Sequence, residues 1–159
     1  MFARNIRLSA LVLCALALSG CATTSASKAT EPSSQAKLEL AVSETCADSS
    51  DAHCVLVNGE GVVMPVAFQD AGVQKASVVE NHGQSEIDVT FTGTGAALLE
   101  ALTEQAAKSG STARLVMKTG DKIVGSTLVS ETIMSHEVSI VVPQTDDAQA
   151  LVKSILGLI

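Results

Sequence analysis

Apolar and polar residues alternate over Leu38-Glu39-Leu40-Ala41-Val42, the period of a strand with one buried face. Cys54-Val55-Leu56-Val57 has the pattern of a short buried strand, stopped by Asn58-Gly59-Glu60-Gly61. Val62 to Phe68 continues as an extended segment, and Pro65 confines it to a sheet edge. Gln69-Asp70-Ala71-Gly72 reads as a turn or one helical turn. A second strand is expected over Val73 to Glu80, a turn at Asn81-His82-Gly83-Gln84, and a returning strand over Glu86 to Phe91. In the returning strand Ile87, Val89 and Phe91 share one face while Glu86, Asp88 and Thr90 share the other, so the pair forms an antiparallel hairpin with one solvated side.

The period changes at Ala96. Ala96, Leu98, Leu99, Leu102 and Ala106 form a stripe at helical spacing, with Thr94 as the expected N-cap and Gly110 as the stop. Strands return at Thr112–Met117 and Lys122–Val124, joined by a tight turn at Lys118-Thr119-Gly120-Asp121. Gly125-Ser126 breaks or bulges the second of these before Thr127–Val129. Val138–Val142 is apolar enough for a strand and ends at Pro143. Thr145 is the expected cap of a last helix whose buried stripe is Ala148, Leu151, Val152, Ile155 and Leu156. The order predicts an α+β domain, two helices on one face of an antiparallel sheet, compatible with a ferredoxin-like split unit.

The start of the chain follows a different rule. Arg4 and Arg7 precede an almost wholly apolar run from Leu8 to Leu18, and residues 1–20 hold no acid. The run is shorter than the roughly 20 apolar residues that span a bilayer, and its basic flank fits the core of a secretory signal peptide. Leu18-Ser19-Gly20-Cys21 resembles the lipobox of bacterial lipoproteins. That resemblance implies cleavage before Cys21, a diacylglycerol on its thiol and an acylated amino group, which together anchor firmly. An ordinary secretory leader cut elsewhere, or a retained helix, are the alternatives. In Gram-negative lipoproteins an aspartate after the acylated cysteine favours inner-membrane retention. Ala22 stands there, so the resemblance implies an outer-membrane position facing the periplasm, a distinction that vanishes in a single-membrane host. Residues 21–37 are polar and aperiodic and read as a flexible tether. The domain is expected over 38–159.

Charge and composition then narrow the partners. The net charge is −7, and removing the leader takes away two arginines and no acid. An acidic body is a poor match for nucleic acid, which wants a basic face. Only Phe2, Phe68 and Phe91 are aromatic, so stacking platforms for bases or sugars are missing. Thr92-Gly93-Thr94-Gly95 lacks the lysine and hydroxyl residue of a phosphate loop. His53, His82 and His136 are scattered and pair with no recognisable catalytic grouping. Asp146-Asp147 reads as charge at a helix start rather than as an acid and base.

Four cysteines remain to be placed. Cys14 leaves with the leader and Cys21 is the lipidation site. Cys46 and Cys54 are an even pair in an exported chain and are expected to form a disulfide, contributing about 2.5 kcal/mol by closing a polar loop. A metal site using Cys46, His53 and Cys54 lacks a fourth ligand and zinc-type spacing. No metal or cofactor is expected.

Several short motifs resemble the periplasmic head of the SecD/SecDF translocase family, its P1 head subdomain. These are Phe91-Thr92 at a strand end, Gly95-Ala96 opening a helix, Leu102-Thr103 near that helix's close, Arg114-Leu115-Val116 in the next strand, and Asp70-Ala71 before the hairpin. The similarity covers about residues 60–156. Thr119 stands where the family has an aspartate, the proline expected near Gly125 is missing, and so are the membrane helices with their proton relay. The resemblance therefore implies a non-catalytic head that holds an exported polypeptide or docks on an envelope protein. The segment 62–68 is the expected edge for strand addition. An inert structural lipoprotein, or a hydrolase of unrecognised type, are the competing readings.

Overall fold

The computed structural model describes residues 36–48 and 51–158. Its chain order is β1 (Lys37–Glu44), β2 (Cys54–Val57), β3 (Glu60–Val63), β4 (Gln69–Asn81), β5 (Gln84–Phe91), α1 (Gly93–Ser109), β6 (Ala113–Thr119), β7 (Lys122–Leu128), β8 (Glu137–Val141) and α2 (Ala148–Ile155). Six strands form one sheet in the order β7-β6-β1-β4-β5-β8, and its neighbours pair antiparallel. β2 and β3 form a separate hairpin.

Side-chain alternation in the central strands decides which face is dry. Leu38 and Leu40 of β1, Ile87, Val89 and Phe91 of β5, and Leu115 and Met117 of β6 are buried in one cluster. Leu99, Leu102 and Ala106 of α1 and Leu151, Val152 and Ile155 of α2 close the same cluster. Both helices thus lie on one face, and burial of each large aliphatic contributes about 1.5–3 kcal/mol. Val116, the opposite-facing residue of β6, is covered instead by Val57 and Val62 of the β2–β3 hairpin. Arg114 ties that hairpin to the sheet through Glu60, with both guanidinium nitrogens Nε and Nη2 on the carboxylate at 2.9 and 2.7 Å.

Gln69–Gly72 is strand, not turn. Lys37–Leu40 pair with it, and Ala71 is wholly buried. Tertiary pairing overrides a stretch with weak local strand preference. An irregularity between Val73 and Lys75 then lets β4 leave β1 and continue along β5. In a ferredoxin-like split unit the two strands joined by a helix have one strand between them; β5 and β6, joined by α1, have two, β4 and β1. The sheet order thus departs from that unit.

The caps also differ from the expected ones. Thr92 rather than Thr94 caps α1, its hydroxyl accepting from the Gly95 N–H at 3.1 Å. Asp147 rather than Thr145 caps α2, accepting from the Ala150 N–H at 3.0 Å. In both cases the capping residue is the last one with extended backbone, a property set by where the helix docks.

Candidate functional site

β7 and β8 are the two ends of the sheet order, so each has one side without a strand partner. Exposed edges of this kind expose unpaired N–H and C=O groups. Hydrogen bonds at the strand ends show which groups these are. Val142 donates to the Ser85 carbonyl at 2.9 Å and Phe91 to the His136 carbonyl at 2.8 Å. By antiparallel alternation, Val138 and Ile140 turn their backbone toward β5, and Glu137, Ser139 and Val141 turn theirs away. Glu137 spends its N–H on the Ser135 hydroxyl at 3.0 Å. Ser139 and Val141 meet no backbone partner on that side among the described residues.

The same alternation works through β6. Thr45 donates to the Thr112 carbonyl at 2.9 Å, which sets Arg114 and Val116 toward β1 and Leu115 and Met117 toward β7. Their partners on β7 are Thr127 and Gly125. Ser126 and Leu128 therefore face outward.

The sheet curls so that these two edges approach each other. A Cβ on Gly125 of β7 would lie 2.8 Å from Met117 Cε and 3.4 Å from Ile140 Cγ2 of β8. The missing side chain is what lets the edges come this close. Between them runs a cleft of about 380 Å³, lined by Met117, Gly125, Ser126, Ile133, Val138 and Ile140 among others. That volume falls in the range of ligand clefts, roughly 300–1,000 Å³. The Ser126 hydroxyl lines it and is buried without a hydrogen-bond partner among the described residues.

On the other side of β8 lies a smaller polar hollow of about 210 Å³, lined by Lys75, Ser77, Asp88, Thr90, Glu137 and Ser139. There Ser139 donates to Asp88 at 2.5 Å and Thr90 to Glu137 at 3.3 Å. Glu137, Val138 and Ser139 border both spaces, so β8 is a ridge between an apolar-floored seam and an acidic hollow. Leu128 at the end of β7, Met134 in the joining loop and Val141 at the end of β8 are exposed large apolar residues around it.

The start of the expected edge at 62–68 is occupied. Val62 pairs with Val55 on one side and bridges to Thr45 on the other. The Val63 carbonyl accepts from the Ser43 hydroxyl at 2.5 Å, and Met64 donates to the His53 carbonyl at 2.8 Å. Met64 and Val66 are exposed, and residues 64–68 lie outside any strand.

Cys46 and Cys54 are bonded, with an S–S distance of 2.08 Å. Cys21 lies outside the described residues. His53, His82 and His136 are exposed and sit in the loop before β2, the β4–β5 turn and the approach to β8, so the fold does not gather them. Among the described residues no group of three or more His, Cys, Asp or Glu could hold a metal ion, and no helix is long and apolar enough to cross a membrane.

Sequence reasoning missed the seam, because edge-to-edge approach depends on sheet curl rather than on local pattern. Gly125 inside an apolar run was its one signal. Sequence reasoning also missed Thr119, which is buried and shares a 2.8 Å hydrogen bond with Ser154 of α2. In comparisons with known proteins, the chain matches no protein-family model, no curated protein and no solved structure.

Proposed function

We propose that this chain is a lipoprotein anchored through Cys21 to the cell envelope, at the outer membrane facing the periplasm, whose domain binds a polypeptide without catalysing a reaction. The observation that carries the binding reading is the seam: two strand edges with outward-facing backbone at Ser126, Leu128, Ser139 and Val141 border one cleft. Such a site recognises an extended chain by its backbone. The disulfide between Cys46 and Cys54 supports an oxidising compartment.

The likeness to the SecD/SecDF P1 head supports the same reading at the level of motifs. Thr92 caps α1, Gly95 lets α1 lie against β4, and Thr103 ties α1 to the loop before β8. Each of these three positions does a structural task in placing α1 on the sheet. Strand order is where this chain departs from a ferredoxin-like head.

The test is photo-crosslinking in intact cells from the full-length chain, with the reactive residue at Leu128, Met134 or Val141 and, as the comparison, at Leu56 or Val66. Polypeptide adducts are expected from the first set. Adducts from neither set would refute binding, and adducts only from the second would place the site on the β2–β3 hairpin.

A further inference from the structure

Resting on the reading of the seam as a polypeptide site, we infer that its occupant is a short extended segment that adds its backbone to β8 at Ser139 and Val141 and sets a basic side chain against Glu137. Three independent features define this ligand. The first is backbone: β8 offers alternate free N–H and C=O groups at Ser139 and Val141, with the Glu137 carbonyl in line. Only an extended main chain matches that spacing, about 3.3 Å per residue with alternate amides turned the same way.

The second feature is shape. In an extended segment successive side chains point to opposite faces. Those pointing to the floor meet the apolar lining of the cleft, Met117, Ile133, Val138 and Ile140. The buried Ser126 hydroxyl, without a partner among the described residues, supplies one polar contact on the opposite wall.

The third feature is charge. Side chains on the outer face meet Glu137, whose carboxylate among the described residues accepts from the Thr90 hydroxyl at 3.3 Å, with Asp88 beyond it. Lys75 lines the same hollow, and among the described residues neither acid has an ion pair with it. A lysine or arginine from the ligand completes this arrangement, and the acidic balance of the whole chain favours its approach.

The test uses the full chain in detergent and a blocked peptide of alternating valine and lysine, followed by titration calorimetry and by the amide NMR signals of the protein. The peptide should bind and shift the Ser139 and Val141 amides. N-methylating alternate amides gives two versions. The version blocking the β8-facing amides should weaken binding on the order of tenfold, and the other should bind as the parent does. Replacing the lysines by glutamates should abolish binding, and Glu137→Lys should do so with an unchanged thermal melt. Equal binding of both methylated versions would overturn the inference, since side-chain charge alone would then account for it. If cellular crosslinking captures polypeptides while the two versions bind equally, polypeptide binding stands and strand addition falls. If no polypeptide binds in either experiment, both fall.

Discussion

Gly95, in the first turn of α1, lies directly on the backbone of Gly72 in β4: a Cβ at Gly95 would sit 2.3 Å from the Gly72 carbonyl oxygen. That carbonyl already accepts from the Thr92 N–H at 2.9 Å, so it cannot swing away without breaking the entry into α1. Gly95→Ala should therefore destabilise the domain by at least about 2 kcal/mol, through forced displacement of packed backbone. Gly93→Ala, two residues earlier with nothing within 4 Å, should change stability by less than about 1 kcal/mol. Urea unfolding of both variants measures the difference, and equal stability would contradict the packing described.

Thr103 joins α1 to the loop that leads into β8. Its hydroxyl donates to the Leu99 carbonyl at 2.8 Å and accepts from the Ile133 N–H at 3.0 Å, and the residue is fully buried. Thr103→Val keeps the shape and strands the Ile133 N–H. The expected cost is about 1–3 kcal/mol, with Thr103→Ser recovering much of it. Because Ile133 lines the seam, faster amide exchange at Ile133 should accompany the loss.

Glu60 and Arg114 link the hairpin to the sheet, and the pair should show in acid. Hydrogen bonding to Arg114 holds the Glu60 carboxyl below the usual carboxylate range. A depressed folded value means that the pair stabilises above the ordinary glutamate pKa and is lost as pH falls through the lowered one. Glu60 is partly exposed, so the contribution is screened and should be no more than about 1 kcal/mol. Thermal melts at neutral and strongly acidic pH should show a smaller difference for Arg114→Gln than for the parent.

The disulfide should act on the loop between β1 and β2. Reduction, or Cys46→Ser with Cys54→Ser, is expected to cost about 2.5 kcal/mol in the chain-entropy picture. The six-stranded sheet should persist by circular dichroism, because neither cysteine belongs to the main cluster. Mass spectrometry of the full chain purified under non-reducing conditions should find no free thiol at Cys46 or Cys54.

Cys21→Ser should leave the chain uncleaved or release it from the membrane fraction. Unchanged membrane association of that variant would remove the lipid anchor from the account.

Much of the fold is legible from periodicity alone. The β4–β5 hairpin, the α1 stripe and the turn at Gly120 follow from residues close in sequence, where pattern and structure share a cause. Gln69–Gly72 reads as a turn because Gln, Asp and Gly favour turns, yet β1 recruits it from about thirty residues away. The caps moved by two residues each, since Thr92, Thr94, Thr145 and Asp147 are all competent and docking chooses among them. The seam is the least legible part. Ser126 and Ser139 are unremarkable in sequence, and only the sheet order shows that each faces an open edge.

Amide hydrogen exchange on the full chain, with and without an unfolded polypeptide carrying basic residues, tests the central claim most directly. Slowed exchange at Ser139, Val141 and Ser126, with the amides of β1 and β6 unchanged, is the predicted result. Exchange at those three positions that does not respond to saturating polypeptide would contradict it.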